Sequence, residues 1–127
     1  MIKQPITEAK KFSLEKVIRV LISLGLSQTD AEVYVHLAAT GPATARSIIS
    51  NLAFNRRQIY RSLKVLQQKG IASENHEHPA EFSAISFDRA LNLLLEVKKE
   101  QAKSLETSKA ELVSDFQTEK KKPEDSN

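Results

Sequence analysis

"NRRQIYRSLKVLQQKG", residues 55 to 70, carries five cations and no acid. Its apolar residues Ile59, Leu63 and Leu66 recur at spacings of four and three, the mark of one buried helical stripe. Asn55 is placed to cap the helix, and Gly70 to end it as its C′ residue. At about 100° per residue, Arg57, Arg61, Lys64 and Gln68 point almost directly away from Ile59. They form one row along the outer face, flanked by Gln58 and Val65. A convex row of cations and amides suits the major groove of a duplex. There Arg pairs with guanine edges, Gln pairs with adenine, and either holds phosphate. A carboxylate on that face would meet phosphates, which accounts for the missing acids. Asn55 and Arg56, at the helix N-terminus, are better placed for phosphate.

The charge around this helix is localised. The chain has 127 residues, with 19 Lys and Arg against 16 Asp and Glu. Residues 45 to 70 hold six of the cations, Arg46 among them, and no acid, whereas residues 71 to 127 hold eight cations and 12 acids. One segment is therefore positive inside a nearly neutral chain, and this speaks of a partner more directly than the overall pI does.

Working outward, Ser13 is read as the cap of a helix to about Leu24, with Leu14, Val17, Ile18 and Leu21 on one stripe. Ser27 opens the next helix, with Asp30 three residues on as in a capping box. Ala31, Tyr34, Leu37 and Ala38 form its inward stripe, and "TGP" at 40 to 42 stops it. Thr44 caps a short third helix with Ala45, Ile48, Ile49 and Leu52 inward. After the cationic helix, "IASEN" and "EFSAI" alternate as a β-hairpin around "HEHPA". Ser86 caps a long helix from Phe87 to about Phe116.

The expected fold is mainly α with a small β-hairpin: a winged helix-turn-helix flanked by an N-terminal helix and a long C-terminal helix. The expected organisation is an N-terminal helix at 1–25, the winged DNA-binding domain at 26–85, a dimerisation helix at 86–117 and a disordered tail at 118–127. Thr44 and Arg46, at the start of the third helix, join Asn55, Arg56, Arg57, Gln58, Arg61, Lys64 and Gln68 as the expected DNA-binding residues.

Several stretches match a known family. "LGLSQTDAEVYVHLAATGPATARSII" followed by "RRQIYRSLKVLQQKGI" resembles the DNA-binding domain of the TrmB-like transcriptional regulators, which are mostly archaeal. The matching positions are Leu24 to Leu26, Ala31 to Tyr34, Gly41 to Ala45, Ile59, Tyr60, Leu63, Leu66 and Lys69 to Ile71, within residues 24 to 95. The resemblance implies a DNA-binding regulator of short form, with the DNA-binding domain and a C-terminal helix but no sugar-binding domain. No small-molecule effector is inferred. The family's wing is often basic; this one carries Glu74, Glu77 and Glu81, which oppose insertion into a minor groove.

The long helix bears Leu94, Val97, Leu105, Leu112 and Phe116, an apolar stripe interrupted by Gln101 and Ser108. A lone helix needs something to bury such a stripe against. The same stripe in a second copy and the N-terminal helix are the natural partners, and a homodimer that uses both, through a coiled coil, is expected.

Other chemistry finds little support. With no Cys, disulfides and thiolate sites are excluded. There is no glycine-rich phosphate loop and no nucleophile–base pair, so neither an enzyme nor a cofactor is expected. His76 and His78 in the wing read as exposed turn residues, not metal ligands. Tyr34 and Tyr60 read as core or rim packing, and Lys120 to Lys122 as a solvated tail. No apolar run approaches the ~20 residues of a membrane span, and a cytoplasmic, nucleoid-associated protein is expected. The competing reading is a winged helix for protein–protein contact, as in adaptor or basal transcription subunits, whose basic face meets an acidic partner.

Overall fold

The computed structural model describes residues 8 to 121, with side-chain surroundings from 14 to 120. Five helices and three short strands follow in the order α1 (Glu8–Ser23), α2 (Gln28–Thr40), β1 (Ala43–Thr44), α3 (Ala45–Asn51), α4 (Arg56–Gln68), β2 (Ala72–Glu74), β3 (Glu81–Ala84) and α5 (Phe87–Lys121). This is a winged helix-turn-helix with a long C-terminal helix, as the sequence predicts.

The helix ends are written in the expected residues. Ser27 Oγ accepts from Asp30 N at 3.0 Å while Asp30 Oδ2 accepts from Ser27 N at 3.3 Å, a reciprocal capping box. Thr44 Oγ1 accepts from Ser47 N at 3.1 Å and so opens α3. At the end of α4, Gly70 adopts φ 77°, a left-handed conformation open to glycine. Gly70 N then donates to Gln67 O and Ile71 N to Leu66 O, both at 3.0 Å, which satisfies two carbonyls of the last turn.

The core gathers Leu21, Leu26, Tyr34, Leu37, Ile48, Ile59, Leu63, Leu66 and Ile71, all almost fully buried. Burying a side chain of this size contributes roughly 1.5–3 kcal/mol. Tyr34 is kept there by its hydroxyl, which donates to Ile85 O at 2.7 Å and so ties α2 to the end of the hairpin. Burial pushes that hydroxyl's pKa above its ordinary value.

The structure differs from these expectations in several places. Helix α1 starts at Glu8, so Ser13 lies inside it instead of capping it; Glu8, Ala9, Lys10 and Lys11 are all good helix formers. Ala38 is exposed, whereas Val33 and Val35 are buried. Helix α2 lies against α1, α4 and β3, so it buries much of its circumference and not one stripe. The wing is a three-stranded sheet of order β1-β3-β2, because Ala43 and Thr44 pair with Phe82 and Glu81.

The expected boundaries at 25 and 85 also move. Leu21 of α1 and Ala90 and Leu94 of α5 share the core of the winged module. The first compact unit runs through Leu94, and the second begins at Leu95. Leu94, 3% exposed, is therefore a core residue of its own domain and not part of a dimerisation surface. Finally, α5 continues to Lys121, so residues 118 to 121 of the expected tail are helical. Thr118 Oγ1 donates to Ser114 O at 2.9 Å, and the first Pro or Gly in the sequence after Phe87 is Pro123. The remainder of that tail lies outside the described residues.

Candidate nucleic-acid interface

Helix α4 is held at both ends and along one side, which fixes the direction of its outer face. At its start, Asn55 Oδ1 accepts from Gln58 N at 2.8 Å and Gln58 Oε1 accepts from Asn55 N at 2.9 Å. Along its inner side, Ile59, Leu63 and Leu66 are at most 1% exposed. Ser62 is also buried, and its Oγ donates to Asp30 Oδ1 of α2 at 2.7 Å. That bond joins residues 32 apart in sequence, and nothing in the helical period of either segment announces it.

Opposite this packed side, Arg57, Arg61, Lys64 and Gln68 are all exposed. They form the continuous cationic row that the helical period predicts. Gln58 is half-buried and its carbonyl oxygen serves the capping box, so only its amide N–H groups are left for a partner. Asn55, likewise, is exposed but commits its oxygen to the cap.

Of the other expected residues, Thr44 and Arg46 line a groove of about 390 Å³ between α3, α4 and the wing, together with Tyr60, Glu74, Pro79 and Phe82. Thr44 is half-buried at the junction of β1 and α3, and Arg46 is exposed in the first turn of α3. Tyr60 is not packed into the core: it is 44% exposed, with the Arg56 guanidinium 5.2 Å from its ring centroid. Tyr60 lies one position from Ile59, about 100° around the helix, and of the core or rim positions left open by the periodic pattern it takes the rim.

The wing is shaped by Asn75. Its Oδ1 accepts from Glu77 N at 3.2 Å and Glu81 N at 2.9 Å, closing a loop with no Asn-Gly turn. The loop exposes Glu74, Glu77 and Glu81, so the wing is acidic beside a cationic helix. Among the described residues, no group of three or more His, Asp or Glu is placed to hold a metal ion. None of the described helices is long and apolar enough to cross a membrane.

Helices packed on one core, a three-stranded wing and an exposed cationic face on α4 define the winged-helix fold. Residues 21 to 88 match the model of the family described as the sugar-specific transcriptional regulator TrmB, and the chain belongs to that family. That family is one of transcriptional regulators and not of enzymes. Among solved structures, the chain is similar to TrmBL2, described as an archaeal chromatin protein with a novel mode of DNA binding. That likeness has TM-score 0.70 and 20% identity, covering 82% of this chain and 40% of the other. This chain thus spans well under half the length of that relative. It is also similar to the ST1889 protein of Sulfolobus tokodaii, with TM-score 0.59 and 19% identity over 72% of this chain and 97% of that one. A possible transcriptional regulator from Methanosarcina mazei gives TM-score 0.57 and 18% identity over 87% and 95% of the two chains. At these identities the likeness is one of fold. Comparison with curated proteins gave no match.

Proposed function

We propose that the chain binds duplex DNA sequence-specifically, as a homodimer, with α4 in the major groove. The observation that carries this reading is the exposed row Arg57, Arg61, Lys64 and Gln68 on a helix fixed from behind by Ile59, Leu63, Leu66 and Ser62. A reading head needs rigid support so that its side chains meet base edges in one register, and α4 has it on one side and at both termini. Arg57 and Arg61, one turn apart, are assigned to base edges. Lys64 reaches base or phosphate, while Arg46, Arg56 and the polar residues Thr44, Asn55 and Gln58 are assigned to the backbone.

The homodimer is supported by the second compact unit. Val97, Leu105, Leu112 and Phe116 are each at least half exposed, at 51%, 62%, 51% and 69%. Large side chains repeating along one helix at this exposure suit a coiled-coil partner. Selection of bound sequences from random duplexes tests the reading, together with titrations at two salt concentrations. A recovered consensus whose affinity falls steeply with salt supports it. Salt-insensitive or undetectable duplex binding overturns it in favour of a protein–protein module.

A further inference from the structure

Not every residue on the exposed line of α5 is apolar. At about 100° per residue, Lys98, Leu105, Lys109, Leu112 and Phe116 all fall within about 40° of one line along the helix. All five are exposed. Two lysines thus sit on the line that a second copy would cover. In a parallel, in-register pair each residue meets its own counterpart. Lys98 would then face Lys98, Lys109 would face Lys109, and Asp115 at the edge would lie near Asp115, an arrangement of like charges throughout.

Reversing one helix removes these conflicts. The midpoint of the Val97–Phe116 stretch lies between Glu106 and Thr107. Turned about that point, Lys98 comes level with Asp115, Leu105 with the small Ser108 and Leu112 with Gln101, while Val97, about a quarter-turn off the line, comes level with Phe116 at the edge. Charge follows the same division. Residues 97 to 106 hold three Lys and two Glu, a net of +1, and residues 107 to 116 hold Lys109, Glu111 and Asp115, a net of −1. Antiparallel pairing lays each positive half on a negative half; parallel pairing lays like on like.

We infer that two copies of this chain pair antiparallel through α5, centred between Glu106 and Thr107, with Lys98 of one copy beside Asp115 of the other. This rests on the homodimer reading above and adds its orientation. By connectivity, one DNA-binding unit is then attached at each end of the pair. The two Leu94 positions lie ~38 Å apart along the helices, from the rise of about 1.5 Å per residue.

The absence of Cys makes the test direct, because single cysteines can be placed at will. Val97→Cys and Phe116→Cys proteins are unfolded, mixed, refolded together and oxidised. The expected result is a disulfide-linked dimer containing one chain of each kind, with each variant alone linking to less than a tenth of that yield. Equal linking by each variant alone, with no mixed product, overturns the orientation while leaving the homodimer intact. A wild-type protein that sediments as a monomer at micromolar concentration overturns both.

Charge reversal gives an independent reading. Lys98→Glu and Asp115→Lys should each weaken the dimer roughly tenfold, because each alters two symmetry-related pairs. The double reversal should restore it. Absence of that rescue overturns the Lys98–Asp115 register.

Discussion

Ser62 Oγ, on the buried side of α4, donates a 2.7 Å hydrogen bond to Asp30 Oδ1 of α2. Both residues are buried, at 2% and 8% exposure, and Asp30 also completes the capping box of its own helix. One carboxyl group therefore caps the start of α2 and anchors α4 against it. The bond is a polar clamp inside an apolar core, and it constrains how α4 is rotated about its axis.

Removing that clamp should cost stability. Ser62→Ala leaves a buried carboxyl oxygen without its partner, at a cost of roughly 1–3 kcal/mol. Denaturant unfolding of the variant measures this. A loss below a few tenths would mean that the Asp30 oxygen finds an equally good partner elsewhere.

The reading head should separate into specific and non-specific parts. Arg61→Ala is expected to cost roughly 1–3 kcal/mol on the preferred site and much less on random DNA. Lys64→Ala should weaken both alike and reduce the salt slope by about one phosphate contact. Neither change touches the core, since both side chains are exposed. Titrations on specific and scrambled duplexes, with circular dichroism as the folding control, check both. If Arg57→Ala and Arg61→Ala each leave specific binding intact in a folded protein, α4 does not read bases.

The wing should hold DNA at a distance. Glu77 and Glu81 are exposed, and Glu81 faces Thr44 across the sheet, next to the start of α3. Changing both to Lys is expected to tighten binding to any duplex at low salt without sharpening sequence preference. Unchanged affinity would place the wing away from the duplex.

Tyr34 gives a pH signature. Its folded pKa lies above the ordinary value of 10.0 because burial disfavours the phenolate. The unfolded chain then releases this proton first, so the contribution is full below pH ~10 and is lost as pH rises through the folded value. Tyr34→Phe should lose about 1 kcal/mol at neutral pH, from the missing bond to Ile85 O, and should lack this part of the alkaline decline. Thermal melts of both proteins from pH 8 to 11 would show it. Parallel declines would trace the loss to other groups.

The second unit should control assembly without controlling the fold. Leu112→Glu lies beyond Leu95, where the second unit begins, and its side chain is half exposed. It is expected to yield a folded monomer with weaker binding to an operator, read by sedimentation and titration. Cutting the chain after Ile85 would be a poorer experiment, because it removes Ala90 and Leu94 from the core.

What the sequence determined by itself is local. Capping residues satisfy backbone groups within three or four positions, so Ser27, Thr44 and Asn55 announced their helices directly. The period of 3.6 separates the inner side of α4 from its outer side, which made the cationic row legible before any fold was known. Tertiary structure decided what depends on distant partners. Ala43 and Thr44 form a strand only because β3 arrives beside them, some 40 residues later. Leu94 and Leu105 have the same chemistry and lie on one line of one helix, yet one is 3% and the other 62% exposed. The difference is where the core of the winged module ends, and no periodicity within α5 records that. The same holds for Ser62, whose hydroxyl looks like any helix-surface polar group until Asp30 is folded against it.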